Sequence, residues 1–143
     1  MTTTARRTVE AFLTGFRLKD VEAAMSTVAD NAVVTVFPLK VRDGGKDVVS
    51  TLLRDVVTAF PDLLVTVKNV IEVGAVVVAE FKIEGTQAAD FLDAINQEKH
   101  LDLDTAWRFT VEDDRIAGIE AYWCQNQLYR RLAVKRQDHV TIV

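Results

Sequence analysis

The sequence of 143 residues is poor in the side chains that build cross-linked or metal-bound folds. It has one cysteine, Cys124, and two histidines, His100 and His139. A single cysteine excludes an internal disulfide and any multi-cysteine zinc site. The two histidines have no carboxylates at ligand spacing, and His100 fits an exposed loop, so we expect no metal. Gly44-Gly45-Lys46 lacks an upstream glycine and is followed by Asp47, which excludes a phosphate-binding loop. We expect no cofactor.

Long apolar runs and an excess of positive charge are also missing. No apolar run approaches the roughly 18 residues of a membrane helix, and the first residues lack the apolar core of a signal peptide. Seventeen basic and twenty-one acidic residues give a net charge of −4, which disfavours nucleic-acid binding. We therefore expect a cytoplasmic protein with neither membrane nor nucleic acid as a partner.

The hydrophobic fraction of 49% is enough for one globular domain, which we place at residues 1–134 with a tail at 135–143. Apolar residues at helical spacing predict a first helix that begins at Thr3 or Thr4 and reaches about Leu18. A second helix is capped by Asp20, and a third runs over 48–60 with Asp47 as its cap. Between them lies a strand at 33–37 that Pro38 ends.

After residue 62 the apolar period changes from 3.6 to 2, which is typical of strands. Four strands are predicted, at 63–73, 75–84, 101–111 and 115–124, with a short helix at 88–95 between the second and third. A last helix is predicted at 127–134. Helices followed by antiparallel strands indicate an α+β domain whose helices cover one face of a curved sheet. Such a cone-shaped barrel encloses a cavity, the usual place for a ligand.

Several segments, in this order, resemble the SnoaL-like polyketide cyclases of the nuclear transport factor 2-like superfamily. They are Ala59–Leu63 after the third helix, the hairpin end Gly85-Thr86, the segment Phe109–Ile116, and Tyr122-Trp123-Cys124. The resemblance covers nearly the whole chain. It implies the cone-shaped α+β fold with a curved, mixed or antiparallel sheet, and kinship with ketosteroid isomerase and limonene epoxide hydrolase.

The resemblance also implies where a proton-transfer site would lie, and this sequence departs from the family at both positions. Enzymatic members commonly end the last strand in Tyr-x-Asp, and that aspartate acts as general acid and base. Here the position is Cys124. Members often carry Gly-Thr-His after the central hairpin, where this chain has Gln87. A thiol in an apolar cavity stays protonated and is a poor base.

Glu120, Tyr122 and Cys124 alternate on the last strand and therefore share one face. If that face lines the cavity, Glu120 is the candidate general base and Tyr122 the hydrogen-bond donor to a carbonyl, with Cys124 as a neutral neighbour. The opposite face, which includes Ile119 and Trp123, is uniformly apolar. If the opposite face is the core, Glu120 is solvated or lies at a subunit interface. Periodicity favours this second alternative, and the resemblance favours the first.

Aromatic side chains are the candidates for the walls of a ligand site. The candidate ligand-binding residues are Phe16, Phe37, Phe81, Trp107 and Phe109. The leading hypothesis is a small-molecule pocket for an apolar, carbonyl-bearing ligand, polyketide- or steroid-like, with cofactor-free acid/base chemistry if the protein is an enzyme. The alternative is a non-catalytic ligand-binding or protein-association module of the same fold.

The strand at 101–111 carries Asp102, Asp104 and Arg108 on one face. The resemblance allows them to copy the Asp–Arg–Asp arrangement of epoxide hydrolase relatives. A solvated sheet surface with salt bridges, or a contact between two copies, is the more common role of such a face. We therefore predict a homodimer that forms through the outer face of the sheet.

Overall fold

The computed structural model describes residues 4–92 and 94–133, which form four α-helices and one six-stranded sheet. The predicted tail at 135–143, His139 and the helix position at 134 lie outside the described residues. The helices are α1 (Thr4–Arg17), α2 (Val21–Met25), α3 (Lys46–Ala59) and α4 (Gln125–Arg131). The strands are β1 (Val28–Val36), β2 (Val41–Gly44), β3 (Leu64–Val73), β4 (Val76–Thr86), β5 (His100–Glu112) and β6 (Arg115–Trp123).

The strand order is β2-β1-β6-β5-β4-β3. All neighbours are antiparallel except β1 and β6, which run parallel, so the sheet is mixed. The β5–β6 turn is formed by Asp113 and Asp114, at φ values of 50° and 62°. Two left-handed residues are what a tight two-residue hairpin needs. The predicted α+β architecture, helices on one face of a sheet, is confirmed.

Helix α1 packs its apolar stripe onto the inner face of the sheet, with Phe12 and Phe16 almost fully buried. Gly15 brings α1 against α2, because a Cβ at this position would lie 2.6 Å from the backbone nitrogen of Ala24. Asp20 accepts a hydrogen bond from the Ala23 N–H at 3.0 Å, which confirms the predicted cap of α2. The two N-terminal helices are thereby fixed at one end of the core.

The sequence prediction misses one strand before α3 and misplaces the cap of this helix. Residues 41–44, for which no strand is predicted, form strand β2, which pairs with β1. The short 3₁₀ turn Phe37–Leu39 reverses the chain and makes this pairing possible. Helix α3 begins at Lys46 with Gly45 as its cap, and no side chain bonds to the cap position. Asp47 therefore lies inside the first turn, where its charge suits the helix dipole.

The helix predicted at 88–95 is also wrong. The described residues of this segment form a loop closed by an isolated bridge between Phe91 and Ala94. Leu92 takes a left-handed φ of 45°, and the buried amide of Gln87 donates to the Ala94 carbonyl at 3.0 Å. These two features are incompatible with a helix, and they turn the Phe91 side chain into the core.

None of the described helices is long and apolar enough to cross a membrane.

Candidate functional site

A small cavity lies between the inner face of the sheet and the helices. Twelve residues line it: Phe16 from α1, Leu52, Leu53 and Val56 from α3, Phe81 and Ile83 from β4, Phe91 from the loop after β4, Leu103, Thr105 and Trp107 from β5, Trp123 from β6, and Leu128 from α4. The free space is about 20 Å³, room for one water molecule. None of these twelve described side chains is titratable.

Three side chains of this wall carry polar atoms. The Thr105 hydroxyl donates to the Phe81 carbonyl at 2.9 Å, and the Trp123 indole N–H donates to Oε1 of Gln125 at 2.7 Å. The indole Nε1 of Trp107 is buried and has no partner among the described residues. The cavity is thus lined by apolar surface, and one of its lining side chains, Trp107, carries an unused hydrogen-bond donor.

The five predicted ligand-binding residues do not all meet here. Phe16, Phe81 and Trp107 line the cavity. Phe109 is fully buried but packs edge-on against Phe12, with ring centroids 5.4 Å apart, outside the cavity wall. Phe37 lies on the other side of the sheet.

The three predicted catalytic residues lie on the outer face of the sheet, not in the cavity. Ile119 and Ala121 of β6 are buried and Trp123 reaches the cavity, so the alternating Glu120 and Tyr122 point outward. Tyr122 is 40% exposed, and Cys124 is exposed with a free thiol. The interpretation that places them on the cavity wall is therefore wrong, and the one based on periodicity holds. Their catalytic role stays a prediction.

On the outer face these residues belong to a polar network. The Tyr122 hydroxyl donates to Oε2 of Glu120 at 3.1 Å, and Arg108 Nη1 lies 3.7 Å from Oε1 of the same carboxylate. The Tyr122 ring stacks on Phe37, with centroids 4.6 Å apart, and the Arg42 guanidinium lies 5.5 Å from the Phe37 ring centre. Partial burial of Tyr122, followed by its bond to Glu120, raises the pKa of the phenol. Tyr122 is therefore a neutral donor at physiological pH.

A wider depression of about 610 Å³, open to solvent, adjoins this network; Lys68, Glu80, Asp104, Tyr122 and Cys124 are among its lining residues. Lys68 Nζ contacts Asp104 Oδ1 at 2.8 Å, and this bond lowers the pKa of the Asp104 carboxyl. Asn69 donates to Glu80 at 3.3 Å. Lys68, Asp104 and Glu80 are thus each engaged by a neighbouring side chain of this face.

Gln87, which stands where family members often carry a histidine, has a structural role in this chain. It is 1% exposed and holds the loop after β4 through its bond to Ala94. His100 begins β5 with a half-exposed side chain, 3.9 Å from Glu84. Among the described residues no three His, Cys, Asp or Glu side chains come close enough to hold a metal ion.

Sequence reasoning missed most of the cavity wall. Leu52 and Val56 belong to an apolar helix face visible in the sequence, and Leu103 and Trp123 to apolar faces of strands. Their periodicity signals burial but not the presence of a space between them. Phe91 was hidden by the incorrect helix prediction.

A comparison with protein families shows to which family this chain belongs. The model of the SnoaL-like domain matches residues 9–119. The chain belongs to the SnoaL-like family. This range runs from α1 to the middle of β6 and includes every helix except α4. No curated protein matches the chain.

Solved structures superpose on about nine-tenths of the chain. TsrD from Streptomyces laurentii has a TM-score of 0.80 at 17% identity, over 92% of this chain and 96% of that one. IdmH, a candidate polyketide cyclase from Streptomyces antibioticus, gives 0.75 at 17% identity, over 91% and 99%. An LEH-like epoxide hydrolase of M. tuberculosis gives 0.70 at 23% identity, over 92% and 91%. At these identities the likeness shows the cone-like α+β fold.

Proposed function

We propose that this SnoaL-like protein binds a small apolar molecule in the inner cavity and does not act on it by acid/base chemistry. The observation that carries the proposal is the composition of the wall, in which none of the twelve described side chains is titratable. General acid/base catalysis needs a titratable group within hydrogen-bond reach of the reacting atom. An aromatic and aliphatic wall with one free donor instead suits an apolar, carbonyl-bearing molecule. The names of the fold relatives, a polyketide cyclase and an epoxide hydrolase, support a polyketide- or steroid-like skeleton.

The cavity has to expand to admit such a molecule, because about 20 Å³ accommodates no ring system. The sheet and the long helices are held by continuous backbone hydrogen bonds. Phe91 lies in the loop after β4, where an isolated bridge to Ala94 holds it, and Leu128 lies on the short, seven-residue helix α4. We expect the cavity to open where these two side chains close it.

The test uses two bicyclic probes, tetralin and its ketone 1-tetralone, in calorimetric titrations of the purified protein. We expect saturable binding of one molecule per chain. Val56→Phe fills the cavity from α3 and should weaken binding by about tenfold or more, a change of about 1.4 kcal/mol. The control Val33→Phe adds the same ring on the outer face, where Val33 is 50% exposed, and should change nothing. The absence of saturable binding of both probes to the folded protein would refute the proposal.

We propose in addition that the outer face of the sheet pairs with a second copy of the chain. Partly exposed apolar side chains lie in two adjacent rows of this face. Ile71 pairs with Val78 in one row, and Val73 pairs with Val76 in the other, which continues through Thr110 and Gly118 to Val33. Beside them lie charges of both signs, with Lys82 Nζ 3.1 Å from Asp102. A face that carries both signs can complement itself about a two-fold axis.

Light scattering tests the pairing. Ile71→Asp should halve the mass of the particle, because it places a charge among the apolar side chains of this face. Leu18→Asp is the matched control, since Leu18 is 67% exposed at the end of α1, away from the sheet. A wild-type mass of one chain at concentrations of about 100 µM, which favour weak association, would rule the pairing out.

A further inference from the structure

The sequence places Trp107 in the middle of β5, where the alternation of the strand turns it inward. The indole is 4% exposed and lies among phenylalanine rings. The ring centroids of Phe81 and Phe12 are 5.7 Å and 6.0 Å away. These rings supply apolar contact but no oxygen to accept the indole proton. A buried tryptophan N–H normally finds such an acceptor.

The unused donor of Trp107 is exceptional in this molecule. Within residues 4–92 and 94–133 its Nε1 is the single fully buried side-chain nitrogen or oxygen without a hydrogen-bond partner. Buried polar groups without partners are rare in native proteins, and each needs an explanation. The explanation that fits the position is a partner that the described residues do not supply.

A water molecule fits the free space but is poorly held there. Buried waters typically make about three hydrogen bonds, and this wall offers few. The Thr105 hydroxyl has its proton committed to the Phe81 carbonyl and can only accept, and the Trp123 N–H is committed to Gln125. A ligand oxygen that replaces such a water gains the indole bond without the loss of a well-ordered water.

We infer that the Trp107 indole N–H is the specificity-determining contact of the cavity and selects an uncharged ligand that presents one acceptor oxygen, such as a ketone or an ester, on an apolar skeleton. This inference rests on the proposed function. The wall also excludes charged ligands, because it contains no cation to compensate a buried carboxylate. Thr105 allows a second, weaker contact with a ligand hydroxyl.

Three probes on one skeleton test the selection: 1-tetralone, tetralin and tetralin-1-carboxylate. The wild type should bind the ketone about tenfold more tightly than the hydrocarbon, the size of one hydrogen bond to a buried donor, and should bind the carboxylate most weakly. Trp107→Phe should still bind tetralin and should reverse the preference, since a ketone is better solvated by water. Trp123→Phe is the matched control: it removes a second indole of the same wall, whose N–H is already paired, and should keep the preference for the ketone.

Proton–nitrogen NMR gives an independent readout that needs no variant at position 107. The chain has two tryptophans, so the spectrum has two indole signals, and Trp123→Phe assigns them. The ketone should move the Trp107 signal downfield, and tetralin should not. Equal binding of ketone and hydrocarbon, with no such shift, would overturn the selection and leave the proposed binding function intact. Failure of the wild type to bind both would overturn the proposed function and this inference with it.

Discussion

The two faces of the β5–β6 hairpin differ in exposure to solvent and in the side chains that they carry. The inner face holds Trp107 and Trp123 in an apolar wall whose described side chains include no titratable group. The outer face holds Arg108, Glu120 and Tyr122 in a network that is open to solvent. Catalysis by proton transfer requires reactive groups and exclusion of water at one place. Among the described residues they lie on opposite sides of one sheet, and this separation supports the proposed binding function.

The largest expected effect is on stability. Leu103→Ala on the inner face should lower the free energy of unfolding by about 2–5 kcal/mol, because it removes a side chain that is 2% exposed from a packed core. Ile71→Ala on the outer face, where the side chain is 46% exposed, should cost less than about 1 kcal/mol. Urea unfolding measures both changes in the free energy of unfolding, provided that its slope against urea concentration is the same for the wild type and the two variants. Similar losses for the two variants would contradict the assignment of the faces.

The next effect concerns ligand binding and the catalytic prediction for Glu120. Glu120→Gln should change the affinity for 1-tetralone by less than about twofold, a difference below about 0.4 kcal/mol, because Glu120 lies on the face away from the cavity. The control is Val56→Phe, which should lose binding. If Glu120→Gln weakens binding as strongly as Val56→Phe, or abolishes a turnover that the wild type shows, the separation of the two faces is wrong and Glu120 acts on the ligand.

The sequence predicted the strands better than the connections. The alternation of 101–111 and 115–124 determined β5 and β6 to within one residue at each end, because a half-buried strand imposes period 2 on its sequence. The segment 88–95 has apolar residues at helical spacing, yet its described residues form a loop. Its conformation depends on the Gln87 side chain and the carbonyl of Ala94, a tertiary contact that local periodicity does not encode.

For the candidate site, the sequence predicted which side chains are buried but not how they are arranged around a cavity. The uniformly apolar face that includes Ile119 and Trp123 correctly indicated the core side of β6. The family resemblance, by contrast, favoured Glu120 and Tyr122 as residues of the cavity wall. It assigns function to the end of the last strand, where this chain has a different residue from the enzymatic members. The unused donor of Trp107 could not be found from the sequence, because a missing partner is a property of the packed neighbours.

The smallest expected effect is the loss, at acid pH, of the stability that one ion pair on the outer face contributes. The bond from Lys68 at 2.8 Å lowers the pKa of Asp104 in the folded state. A lowered carboxyl pKa means that the pair stabilises the fold above the ordinary aspartate pKa of about 4 and that this contribution is lost as the pH falls through the lowered value.

The two side chains of that pair are 50% and 60% exposed, so Asp104→Asn should cost only a few tenths of a kcal/mol at pH 7 and about nothing at pH 2. Lys68→Met should give the same difference, and the double variant should give no more, because each single change removes the same interaction. Urea unfolding at the two pH values measures it, and 1 M salt should shrink the pH 7 value. A difference that persists at pH 2 would show that Asp104 contributes through packing, as inner-face residues do. A charged outer face that adds so little to stability is free to serve association, whereas the inner face cannot change without cost to the fold.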